Sequence, residues 1–209
     1  SLGGSHTASF QAAADGARAA GVTLVAAAGN HGDATPIYPA AYSSVIGVAA
    51  TDRRDAKASF SAFGSFVSLA APGVALRSTY PTAAGSYAYL SGTSMASPVV
   101  AGVAALVLSQ YPSLTPSQVE ARLLNSAEDI GVSGIGAGRV NAVRALLNLA
   151  GVSPAVTTAG LPTTLTLTGT AFHSGIAVRL TRSGHASITA TGLTVVTHQQ
   201  ATCQVNVPY

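Results

Sequence analysis

Apolar positions in the first 150 residues follow two alternating rhythms. Residues 10–20 are alanine-rich with polar residues interspersed. Gly21 follows them, in the place glycine favours just past a helix C-terminus, so a helix is predicted there. Residues 22–28 (VTLVAAA) form a short continuous apolar run that ends in Gly29-Asn30. That is the pattern of a strand covered on both faces in a parallel sheet. Residues 45–50 repeat it, ending at Thr51-Asp52. Helix alternating with buried strand predicts an α/β layered fold. Residues 60–69 and the segment around Pro72-Gly73-Val74 read as further strands and turns. Residues 98–111 predict a long, buried, apolar helix with Pro98 in its first turn, where a missing N–H costs nothing. Thr115-Pro116-Ser117-Gln118 carries a capping-box pattern and opens a helix to about residue 126. A glycine-rich loop at 134–138 then leads to a last helix over 141–149.

The rhythm changes after Gly151. Ser153-Pro154 and Leu161-Pro162 flank a linker, and residues 164–168 (TLTLT) alternate with period two. Residues 176–180, 193–196 and 204–207 are further short strands between Gly or Ser turns. The chain thus divides into an α/β part over 1–150, a linker over 151–162 and a small all-β segment over 163–209.

Composition narrows the function. Of the 209 residues, 48% are hydrophobic and only 8% charged, against about 25% charged in an ordinary globular chain. The surface must be covered by Ser, Thr, Gly, Asn and Gln, which suits a secreted, extracellular protein. The net charge of +3 comes from scattered arginines. No basic run suggests a nucleic-acid partner, and no basic amphipathic helix suggests a membrane surface. The longest apolar stretch, 99–108, falls well short of the about 20 residues a membrane span needs. Cys203 is the sole cysteine, so no disulfide closes within the chain and no zinc spacing exists. It reads as a small buried apolar residue. Asp52 and Asp55 are separated by Arg53 and Arg54 and offer too little for a calcium ion, which takes about six to eight oxygens. A surface ion pair is expected there, and neither a metal nor a cofactor.

The chemistry-bearing segment is Ser91-Gly-Thr-Ser94-Met-Ala-Ser-Pro98. A serine hydroxyl is a poor nucleophile unless a base takes its proton and donors hold the oxyanion. Here Ser94 falls at a helix start, where backbone N–H groups are unpaired and the dipole favours negative charge. Gly92, Ala96 and Ser97 are small enough for a substrate backbone to come close.

Gly92-Thr-Ser94-Met-Ala-Ser-Pro98 resembles the nucleophile signature of subtilisin-like (S8) serine peptidases. Ala26-Ala-Ala-Gly29-Asn30 is similar to that family's oxyanion-hole strand, and Ser1-Leu-Gly-Gly4 to the strand lining its substrate groove. Tyr38-Pro-Ala-Ala-Tyr42, Ala58-Ser-Phe-Ser61, Ala71-Pro-Gly73 and Gly138-Arg-Val-Asn141 match in the same order. The resemblance covers residues 1 to about 150. It implies a partial subtilisin-like three-layer fold with a mostly parallel sheet and a serine endopeptidase acting on polypeptides. It further implies Ser94 as nucleophile and Asn30 as oxyanion donor, with Ser1, Leu2, Gly3, Ala28 and Gly29 binding the substrate backbone. Residues 165–208 are similar to the first part of an IPT/TIG immunoglobulin-like module, with Gly175 and Cys203 among the matching positions.

Two departures bear on activity. In the family's order the catalytic Asp and His precede the serine, and the chain begins at the SLGG strand. None of His6, His31, His173, His185 and His198 sits in the family's His-Gly-Thr setting; His6 and His31 read as solvated surface residues. The chain is therefore expected to be an excerpt or processed product, inactive alone, whose partners are a polypeptide substrate and the N-terminal part of the same protein. Val99 stands where many relatives carry histidine, a structural position. The alternative function is a catalytically dead subtilisin-like scaffold with a C-terminal binding module.

Overall fold

The computed structural model describes residues 1–174, 176–181 and 186–208; Gly175 and His185 lie outside the described residues. The chain forms two compact units, Ser1–Ala145 and Leu146–Tyr209.

The first unit is built on a three-stranded parallel sheet ordered β1-β2-β3: β1 (Val25–Ala27), β2 (Ile46–Thr51) and β3 (Leu69–Pro72). Every residue of β2 is buried, as expected of a parallel strand covered on both faces. Ala28, Ala49 and Ala70 cluster with Ala62, Val67 and Ile135. Helix α1 (Ala8–Ala19) starts on Thr7, whose hydroxyl accepts from the Phe10 N–H, and brings Phe10 and Ala14 against Ala26, Tyr42 and Val45.

Helix α2 (Thr93–Gln110) packs across all three strands. Two expectations are corrected here. Pro98 is the sixth residue of α2 and not part of its first turn, and the helix is not wholly buried. Val100, Val103, Ala104 and Val107 face the core, while Ala101, Gly102, Ala105 and Leu106 form an exposed stripe. By length and composition alone α2 is apolar enough to cross a membrane; its packing on the sheet is that of a core helix. Helix α3 (Pro116–Ser126) carries the expected capping box, the Gln118 amide oxygen accepting from the Thr115 N–H at 2.8 Å.

Residues 60–68 are irregular rather than strand. An exposed antiparallel hairpin of β4 (Leu76–Thr79) and β5 (Tyr87–Leu90) was not foreseen. The last helix of the unit, α4 (Ala142–Leu146), ends three residues before the expected Leu149.

Asp55 forms the ion pair expected of it, with Arg139 at 2.5 Å; Arg139 also reaches Glu128 at 2.8 Å. Hydrogen bonds from Arg139 and then Asn141 hold the Glu128 carboxyl below the usual glutamate range. A carboxylate lowered on folding stabilises above its unfolded pKa, and that contribution fades as pH falls through the folded value. Wild type should therefore lose stability more steeply than Arg139→Ala as pH drops below the ordinary glutamate range. Urea midpoints at pH 6 and pH 3.5 read this, and parallel losses would exclude it.

The second unit is a four-stranded antiparallel sheet ordered β10-β11-β7-β6, with a two-residue pair, β8 (Arg179–Leu180) and β9 (Ile188–Thr189), beside it. Strand β6 (Asn148–Ser153) occupies residues expected to be helix end and linker. In β7 (Pro162–Thr170) Leu165 and Leu167 are buried between outward threonines. In β11 (Gln200–Asn206) Ala201, Cys203 and Val205 are buried, and Cys203 pairs with Leu165. Strand β10 (Thr191–Thr197) adds Leu193 and Val195 to this core. Burial pushes the Cys203 thiol pKa up, so the thiol is inert packing.

Candidate active site around Ser94

Three segments meet at the start of α2. The loop after β1 brings Gly29 and Asn30, the N-terminal residues bring Ser1, and the helix itself presents Thr93 and Ser94. Thr93 is fully buried and ties them together. Its backbone N–H and its hydroxyl both donate to Asn30 Oδ1 at 2.9 Å, and its Oγ1 accepts from the Gly29 N–H at 3.2 Å. With Oδ1 committed to two donors, the orientation of the Asn30 amide is fixed. Its NH₂ group has no partner among the described residues.

The first turn of a helix leaves its N–H groups without intrahelical partners. Here Thr93 N–H goes to Asn30, while Met95 and Ala96 N–H reach Gly92 O at 3.0 and 3.3 Å. The Ser94 N–H has no hydrogen bond among the described residues. The site thus holds two unspent donors, the Asn30 amide and the Ser94 N–H, which lie 3.5 and 3.6 Å from where a Cβ on Gly92 would stand, and Ser94 itself is half-buried.

Pro98 completes the arrangement. In an α-helix the N–H of residue 98 would donate to the carbonyl of residue 94, and proline has none. The Ser1 hydroxyl fills that vacancy, donating to Ser94 O at 2.9 Å. The N-terminal segment is thereby attached to the backbone of the candidate nucleophile.

The turn is supported from below. Gly73 O accepts from Gly92 N–H at 2.8 Å. A methyl group on Gly73 would lie 2.6 Å from Ala50 Cβ and 2.8 Å from Gly92 O. Gly73→Ala is expected to cost about 1–3 kcal/mol by overpacking, because Ala50 or Gly92 must shift. An unchanged urea midpoint would contradict this close packing.

Other expected site residues are placed as follows. Ala28 has a buried side chain and its N–H donates to Val48 O, so it can offer only backbone to a ligand. Leu2 is 67% exposed, and Gly3 is exposed beside it. His6 is exposed, as expected, and one side of its ring lies 5.2 Å from that of Tyr38 and 5.7 Å from that of Tyr42. His31 is exposed, and His173 Nδ1 contacts Ser174 O. No described histidine is hydrogen-bonded to Ser94, and the described residues contain no cluster of three or more metal-ligating side chains. Thr93 is the site residue that sequence reasoning passed over; its signal was a hydroxyl directly before the serine.

A serine, a side-chain amide and a free backbone N–H at one helix entrance, on an α/β scaffold, are the parts from which acyl-transfer sites are made. Comparison with known proteins gives the family. The Subtilase family (Peptidase S8) matches residues 1–175. Subtilisin DY of Bacillus licheniformis is 50% identical over 138 residues, covering 64% of this chain and 50% of its own length. Thermitase of Thermoactinomyces vulgaris is 50% identical over 149 residues, 70% of this chain and 52% of its own. A solved protease structure from Pseudoalteromonas arctica superposes with a TM-score of 0.64 at 35% identity, covering 69% of this chain and 48% of that one. The chain belongs to the subtilase family of serine proteases, and it spans about half the length of the curated relatives it matches.

Proposed function

We propose that this chain carries the nucleophile and oxyanion site of a serine endopeptidase. The observation that supports it best is the pair of unspent donors, Asn30 NH₂ and Ser94 N–H, that converge on Gly92 at the entrance of α2, one of them the backbone N–H of Ser94 itself. Ser94 Oγ attacks the scissile carbonyl carbon while a base takes the hydroxyl proton. The carbonyl oxygen, now an anion, is held by the two donors. Collapse breaks the C–N bond, the proton passes to the leaving amine, and water then hydrolyses the Ser94 ester. Ser1, Leu2 and Gly3 on one side, with Ala28 and Gly29 on the other, pair with the substrate backbone.

Among the described residues no histidine is hydrogen-bonded to Ser94, so the base that takes its proton and the carboxylate that orients it are a histidine and an aspartate from the N-terminal part of the family's fold, and without them Ser94 turns over no peptide. The exposed apolar stripe of α2 supports a partner role for that N-terminal part, since Ala101, Gly102, Ala105 and Leu106 would otherwise face water. Residues 163–209 act as an IPT/TIG-like module, and the low charge suits a secreted protein. A dead scaffold would need neither free donor. The test is hydrolysis of a peptide anilide by the naturally encoded protein, blocked by a serine-directed phosphonate, and by the isolated 209 residues. Turnover insensitive to the phosphonate would refute the Ser94 assignment; turnover by the isolated chain would refute the need for the N-terminal part.

A further inference from the structure

Ser94 lacks both of the backbone bonds that hold an interior residue of a helix. Its N–H lies in the first turn of α2, where no intrahelical acceptor is in reach. Its carbonyl would accept from residue 98, and Pro98 has no N–H to give. The peptide unit that follows Ser94 is fixed instead by two other bonds. Met95 N–H donates to Gly92 O at 3.0 Å, and the Ser1 hydroxyl donates to Ser94 O at 2.9 Å.

These two bonds are not equivalent. Gly92 belongs to the same turn as Ser94, so its bond moves with that turn. Ser1 is 93 positions away along the chain and stands on a separate support. Three residues beyond it, Gly4 N–H donates to Tyr38 O at 2.9 Å and Tyr38 N–H to Gly4 O at 3.1 Å. Tyr38 packs on the buried cluster that contains Ala26 of β1, and β1 leads into Asn30. The Ser1 bond therefore refers the backbone of Ser94 to the strand that carries the oxyanion donor.

We infer that Ser1 is a positioning residue for the nucleophile, acting through its side chain rather than its backbone. It sets the peptide unit after Ser94, and with it the direction in which the Ser94 hydroxyl points. The inference rests on the reading of Ser94 as nucleophile. Ser1 touches no reacting atom in this role; it works only through Ser94 O. Pro98 is what makes it necessary, because the acceptor that the proline leaves without a donor is the one that Ser1 takes.

The naturally encoded protein is assayed on one peptide anilide as wild type, Ser1→Ala, Pro98→Ala and the two changes combined. Ser1→Ala should lower kcat by about three- to tenfold with KM little changed, the scale of one hydrogen bond's net worth. In Pro98→Ala the helix supplies its own N–H to Ser94 O. Removing the Ser1 hydroxyl in that background should cost no more than about twofold, a non-additivity that a merely structural role would not produce. Pro98 is exposed, so replacing its ring leaves no cavity, and a melting curve of each variant checks that it is folded. A kcat unmoved by Ser1→Ala, a change confined to KM, or an equal loss in both backgrounds overturns the positioning role and leaves the Ser94 reading standing. Turnover that survives Ser94→Ala overturns both.

Discussion

Ser94→Ala is expected to abolish peptide-anilide turnover by the naturally encoded protein while leaving its fold untouched. The Ser94 hydroxyl makes no hydrogen bond among the described residues; it is the Ser94 carbonyl that Ser1 holds. Losing the hydroxyl should therefore change stability by no more than about 0.5 kcal/mol, as for substitutions that break no packed or bonded feature. The loss in kcat should be on the order of 10⁶, a figure belonging to subtilisin's own nucleophilic serine. The two oxyanion donors survive in this variant, so a small residual rate over water should remain. A matched melting curve and a lost active-site titration burst are the paired readouts. Turnover within tenfold of wild type would place the nucleophile elsewhere.

Asn30 separates into two roles that different substitutions can pull apart. Its Oδ1 is the acceptor for both Thr93 donors, and its NH₂ is the free donor. Asn30→Asp keeps the acceptor and loses the donor. kcat should fall by about 10²–10³ or more with KM little changed; that range is the one found for subtilisin's own oxyanion asparagine. Asn30→Ala loses both, and leaves the N–H and hydroxyl of fully buried Thr93 without their partner. A buried donor stripped of its partner costs about 1–3 kcal/mol, so the alanine variant should be measurably less stable than the aspartate one. Equal stability of the two would show that Asn30 does not organise the helix entrance. Undiminished kcat in Asn30→Asp would remove it from the oxyanion site.

Much of this was legible because it is written locally. Val25–Ala27 and Ile46–Thr51 are continuous apolar runs with no polar face, and a strand buried on both sides has no other sequence. The α3 cap lies within four residues, Thr115 to Gln118. Ser94 and Asn30 carry their own chemistry and stand out as residue types. What was misread depends on partners far along the chain. Pro98 suggested a helix beginning later than Thr93 because the acceptor it orphans is served by Ser1, which no local pattern announces. Residues 148–149 read as the end of the 141–149 helix and 151–153 as linker, and they become a strand only because Thr166–Thr170 offers a ladder. The β4–β5 hairpin has mostly exposed residues, so no buried alternation marks it.

The proline at position 98 has a mechanical corollary. By silencing one rung of the helix ladder it turns the carbonyl of residue 94 into a mooring for the opening stretch of chain. Any displacement of residue 1 then tugs on the same backbone unit that bears the Ser94 hydroxyl, so the setting of that side chain answers to the chain's opening residues.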